Sequence, residues 1–215
     1  MVESCESHVE EKISYGITLS TLSLMIDSIE LFILEAKTAA LKGEENRARA
    51  LFRKVLKLQP ENLDALVSFG VFLNSSKKSA SQGARLLAKA VKLDPSNGFA
   101  WAYLGESLIT LERYDKAEQC VRKAISLDSQ NARNWHRLAN ILEKTDRIDD
   151  AVDMIQKSLE IEDTDETAWI SLGRLYVAQK KYDDAQQAYS HALNLDPQNQ
   201  NIKSALQHLE NLKGI

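Results

Sequence analysis

Apolar positions recur at steps of three and four over most of the chain, the spacing that lines one face of an α-helix. The pattern also repeats on a longer scale. Trp101, Trp135 and Trp169 are each 34 residues apart. Three residues after each comes Leu104, Leu138 or Leu172, and seven after comes Leu108, Leu142 or Tyr176. A second apolar stripe follows in every period: Ala117, Ala151 and Ala185, then Val121, Ile155 and Tyr189, then Ala124, Ser158 and Ala192. The pattern predicts two amphipathic helices in each 34-residue unit.

The columns between these stripes predict how the helices meet. Gly105, Ala139 and Gly173 follow the leucines directly. They are small where two helices of a hairpin approach closely, because a larger side chain there would overpack the contact. Polar stretches such as Lys144-Thr145-Asp146-Arg147 read as the turn inside a hairpin. Leu127-Asp128-Ser129-Gln130-Asn131 and Leu195-Asp196-Pro197-Gln198-Asn199 end the second helix. Proline cannot continue a helix, and Asp, Ser and Asn can cap the next one.

These columns resemble the tetratricopeptide repeat (TPR) family across residues 29–199. The resemblance implies an all-α fold: a right-handed α-solenoid of about five helical hairpins. The first helix of each pair lines a concave groove and the second faces outward. The units expected are a degenerate repeat at 29–62, a repeat with one inserted residue at 63–97, and regular repeats at 98–131, 132–165 and 166–199. The insertion is expected in a longer polar turn at 74–81. Residues 200–213, with Ile202, Ala205, Leu206 and Leu209 on one face, read as a capping helix. Stacks of this kind need such a helix for solubility. Residues 29–97, with Asp64-Ala65-Leu66 and Phe69-Gly70, also resemble the repeat pair that precedes Fic domains. The Fic motif beginning His-Pro-Phe is absent, so that resemblance carries no enzymatic expectation.

Upstream, residues 1–12 read as an acidic disordered tail and 13–28 as an apolar helix. Leu19, Leu22, Ile26, Ile29, Ile33, Ala36 and Ala40 alternate steps of three and four, a heptad-like seam. Leu22, Ile26, Ile29 and Ile33 are the candidates for self-association, giving a homodimer through this helix. Packing on the next repeat and folding into the groove are the alternatives.

Charge modifies this picture only locally. The net charge is −4, yet residues 42–92 hold 11 basic and 4 acidic residues, a net of +7. A solvated helix face is the simplest reading of that block, and the overall acidity argues against nucleic acid. The uncharged run from Ile13 to Ile26 is 14 residues long, short of the roughly 20 that a spanning helix needs. Cys5 and Cys120 form no CxxC pair or Cys/His cluster. They are expected as free thiols in a reducing, cytoplasmic compartment, with no metal and no cofactor. No phosphate-binding, dinucleotide, HExxH or GxSxG motif occurs, and no two of His8, His136, His191 and His208 are spaced i, i+4. The expectation is a protein-binding scaffold or adaptor rather than an enzyme.

The TPR resemblance places Tyr103, Glu106, Arg133, His136, Arg137, Asn140 and Arg174 on the groove face. Arg133 and Arg137 match two positions of the carboxylate clamp found in co-chaperones of this family. Tyr103, Val67 and Val71 stand where that clamp needs Asn and Lys, so a full clamp is not expected. What remains is a polar groove that takes an acidic or polar peptide, with arginine pairing to carboxylate. The arginines could equally pair with Glu106 or Glu143. A co-chaperone-like reader of acidic C-terminal peptides and a regulatory subunit of an enzyme complex are the alternative functions. The three tryptophans are expected to be structural, together with Gly105 and Gly173.

Overall fold

The structure is a computed structural model that describes residues 19–74 and 77–213, with side chains described for 28–74 and 77–212. The acidic tail, residues 13–18, and the side chains of Leu22 and Ile26 lie outside what is described. Eleven α-helices and no strand occur among the described residues. They are α1 (Leu19–Leu41), α2 (Glu45–Leu58), α3 (Leu63–Leu73), α4 (Lys77–Leu93), α5 (Gly98–Thr110), α6 (Tyr114–Leu127), α7 (Ala132–Lys144), α8 (Ile148–Ile161), α9 (Glu166–Ala178), α10 (Tyr182–Leu195) and α11 (Gln200–Lys213). The chain divides into two compact units, one up to Phe72 and one from Leu73.

In the first unit, α1 runs unbroken through the junction expected at 28/29. Ile29 and Ile33 lie in its core with Val55 and Ala65, and Phe32 and Leu56 pack against them. Two of the four expected self-association residues are therefore spent inside the unit. Phe52 and Phe69 stack with centroids 5.1 Å apart, and Phe72 tilts against Phe52 at 6.2 Å. Part of the basic block serves these aromatics: Lys54 Nζ lies 3.6 Å from the Phe32 centroid, and the Arg49 guanidinium 5.5 Å from that of Phe72. Such contacts stabilise by about 0.5–1 kcal/mol at exposed sites.

In the second unit, α5/α6, α7/α8 and α9/α10 form hairpins with three-residue turns. Each turn holds one residue in the left-handed region: Glu112 at φ 58°, Asp146 at 61° and Lys180 at 60°. The α1/α2 turn puts Gly43 there, at φ 75°. In every case the next residue's N–H bonds back five residues, as Arg113 to Leu108 O at 2.8 Å and Glu44 to Ala39 O at 2.9 Å. This closure satisfies carbonyls that a helix end leaves orphaned.

The entry to each first helix is capped by a 34-residue column of Asn and Asp. Asn97 Oδ1 accepts from Ala100 N at 2.9 Å, and Asp165 Oδ1 from Thr167 N at 2.9 Å. Asn131 makes no such bond. Each tryptophan is half-buried and donates its indole N–H to a carbonyl six residues earlier: Trp101 to Pro95, Trp135 to Ser129 and Trp169 to Asp163. The indoles thus tie every first helix to the loop that enters it. In the 63–97 unit the structure differs from the expected long turn. Lys77 to Ser81 are helical, so α4 has 17 residues against 14 in α6, α8 and α10. Cys120 is buried, and that burial pushes its thiol up to about 11.

The small column works as sterics require. A Cβ on Gly105 would stand 2.6 Å from Val121 Cγ2, and one on Gly173 would stand 2.7 Å from Tyr189 Cε1. Gly105→Ala gains about 1 kcal/mol in helix propensity but meets an overpacking cost of roughly 1–3 kcal/mol. The expected outcome in urea unfolding is a net loss of stability that Val121→Ala relieves in the double variant. A stabilising Gly105→Ala in the otherwise unchanged protein would contradict the packing described.

Candidate functional site

The first helices of the second unit lie side by side, and polar side chains cross from one to the next. The sequence places a carboxylate 31 residues before an arginine twice, Glu106 before Arg137 and Glu143 before Arg174, and both pairs meet. Arg137 Nε and Nη2 donate to Glu106 Oε2 at 3.2 and 3.0 Å. Arg174 grips Glu143 with both arms, Nε to Oε1 at 2.9 Å and Nη2 to Oε2 at 2.7 Å. Arg137 also donates to Asn134 Oδ1 at 3.3 Å and lies 5.0 Å from the Tyr103 ring centroid. Nearer the start of the unit, Asn74 Nδ2 donates to Tyr103 O at 3.1 Å and Ser107 Oγ to Asn74 Oδ1. Two of the three arginines expected in the groove are thus held by their own carboxylates.

His136 shares a 3.1 Å hydrogen bond with Ser171 through Nε2, and its Nδ1 lies 3.7 Å from Asp165 Oδ2. Burial pushes the imidazole below its ordinary value. The Asp165 carboxylate opposes this, while Arg174 and Arg137 add to it. Burial alone would raise Asp165, but hydrogen bonds from Thr167 and Ala168 hold it below the usual carboxylate range. The two groups are therefore a neutral imidazole beside a carboxylate near pH 7, not an ion pair.

Arg133 and Asn140 are exposed on the same face and make no hydrogen bond or ion pair among the described residues. Arg133 forms a shared wall of two clefts. One, of about 430 Å³, is lined by Phe99, Ala102, Tyr103 and Asn131, with Arg137 and Asp128 at its edge. Phe99 is 57% exposed and tilts against Tyr103 with centroids 4.4 Å apart. The other, of about 640 Å³, is bordered by Glu106, His136, Asn140 and the start of α9. Arg133 and Arg137 face four carboxylates there: Glu106, Glu162, Asp165 and Glu166. One cleft is thus aromatic with a basic edge, and the other is polar with an acidic excess. The positional reading had the arginines and His136 but not the neutralisation of Arg137 and Arg174, nor the aromatic wall at Phe99. No cluster of His, Cys, Asp and Glu suited to a metal ion occurs among the described residues. No described helix is long and apolar enough to cross a membrane.

The family model for the cilia and flagella-associated protein 70 C-terminal domain matches residues 27–212. No curated protein matches the chain in sequence. Among solved structures, MamA aligns with a TM-score of 0.68 at 23% identity, over 75% of this chain and 94% of that one. The pilF protein of Pseudomonas aeruginosa aligns with a TM-score of 0.73 at 20% identity, over 82% and 80%. YrrB, described as a TPR protein with an unusual peptide-binding site, aligns with a TM-score of 0.67 at 19% identity, over 89% and 99%. At these identities the likeness is one of fold, a TPR array.

The His136 site carries a pH dependence. A histidine whose folded value lies below its unfolded value holds fewer protons when folded. The stability it contributes is therefore lost as pH falls through about 6.5, the ordinary value. Unfolding free energy should fall between pH 7.5 and 5.5, and His136→Gln should flatten that slope. An unchanged slope in the variant would show that His136 is not neutralised by burial.

Proposed function

The chain belongs to the family of the cilia and flagella-associated protein 70 C-terminal domain, and from that premise we propose that it is the partner-holding module of a ciliary or flagellar protein. TPR arrays present long surfaces on which each repeat contacts only its neighbours, and such a surface serves protein interaction rather than chemistry. The cytoplasmic side of a cilium or flagellum is the location the family name favours.

The partner we infer is an extended peptide segment lying across α5, α7 and α9. The observation that carries this reading is Arg133, the groove arginine left without a counter-charge, between the Phe99–Tyr103 wall and the carboxylates at the start of α9. A carboxylate of the partner answers Arg133. An apolar or aromatic side chain fills the cleft at Phe99, and a polar or basic group faces Asp165 and Glu166. A reader of strongly acidic tails is disfavoured by that carboxylate excess and by the neutralised Arg137 and Arg174. In affinity capture with the wild type as reference, Arg133→Glu and Phe99→Ala should each reduce a recovered partner at least tenfold. Retention of the partner by both variants would remove the groove reading.

A second reading, self-association, is favoured by the outer face of α1. Leu31, Leu34 and Leu41 are 53, 60 and 90% exposed there, opposite Ile29 and Ile33. Glu30 and Glu35 flank the first half of this ridge, and Lys37 and Lys42 the second. An antiparallel pair of α1 helices sets acidic ends against basic ends, which a parallel pair does not. Light scattering should give a dimer mass that Leu31→Lys with Leu34→Lys halves, whereas a monomer at all concentrations would end this reading.

A further inference from the structure

We propose that the cleft between α8 and α10, floored by α9, is a second docking site that takes a lysine or arginine side chain from a partner protein. The cleft has a volume of about 570 Å³ and lies on the face formed by second helices, away from Arg133. Trp169, Tyr176 and Leu172 form its floor, and Glu160 and Asp184 stand at its rim. His191 stacks on Trp169 at 4.5 Å, and Gln156 Nε2 donates to Tyr176 Oη at 3.0 Å. No lysine or arginine lines the cleft, and Lys181, 5.9 Å from the Tyr176 ring centroid, is not part of the lining. Among the described residues, neither Glu160 nor Asp184 has an ion-pair partner.

The preceding repeat shows what these positions do when the chain supplies its own cations. Shifted back by 34 residues, Gln156 becomes Arg122, His191 becomes Lys157, Trp169 becomes Trp135 and Asp184 becomes Asp150. There Lys157 Nζ lies 4.9 Å from the Trp135 ring centroid, and Arg147 binds Asp150 at 2.8 Å. Arg122 is held by Glu118 at 2.7 Å. One repeat later both cationic positions are neutral at this cleft, while the tryptophan and the aspartate persist and Glu160 replaces Ser126. An aromatic floor beneath two unanswered carboxylates attracts a cation through ring quadrupole and charge together. The guanidinium or ammonium fits by charge, and its aliphatic stem fits the apolar floor of Leu159 and Leu172.

The test is a titration of the full chain with a blocked Ala-Arg-Ala tripeptide, followed by NMR at the three indole N–H groups. Trp169 should shift saturably while Trp101 and Trp135 stay in place, and a blocked Ala-Glu-Ala tripeptide should produce no shift. Glu160→Gln with Asp184→Asn should weaken the response at least fivefold. Arg133→Glu should leave it intact, which separates this cleft from the groove proposed above. A stationary Trp169, equal shifts at all three indoles, or an undiminished response in the neutralised variant would each overturn the proposal.

Discussion

The close approach of two helices within each hairpin is the constraint on which the rest depends. At Gly105 and Gly173 there is no room for a methyl group, because Val121 and Tyr189 reach the opposing backbone. Ala139 fills the same place in the middle repeat, with Ile155 in the Val121 column. Small faces large at each level, as a densely packed contact demands. Because the approach recurs every 34 residues, the first helices stand in a row. Residues 31 apart then meet across neighbouring helices, which is why Glu106 finds Arg137 and Glu143 finds Arg174.

Those two pairs change what the groove can recognise. Each is worth only about 0.2–1 kcal/mol where exposed, so they are minor in stability. Their larger effect is on charge, since an arginine already holding a carboxylate has less to offer a ligand. Arg133 is left to the partner, beside the exposed ring of Phe99. The face is therefore mixed in character, aromatic and basic at α5 and acidic at the start of α9. A partner with one carboxylate and one apolar side chain suits it better than a run of acidic residues.

Much of this was legible from periodicity. The tryptophan columns, the small residues and the polar turns all carry spacing signals that physics ties to helices and hairpins. The left-handed turn residues were not legible, because Glu112, Asp146 and Lys180 bear none of the marks that Gly43 does. The continuity of α1 was hidden because that helix is apolar on so much of its surface that a break and an unbroken run read alike. Groove positions could be placed by column, but column position does not say which arginine a carboxylate will capture. The aromatic cleft on the other face becomes visible only when Gln156 and His191 are set beside Arg122 and Lys157.

The central claim is that a partner lies along α5, α7 and α9 around Arg133. The most direct measurement is site-specific photo-cross-linking, with the reactive group placed at Asn140 in one protein and at Lys116 on α6 in another. The account predicts a cross-linked partner from position 140 and none from position 116. A partner cross-linked from position 116 alone would contradict it.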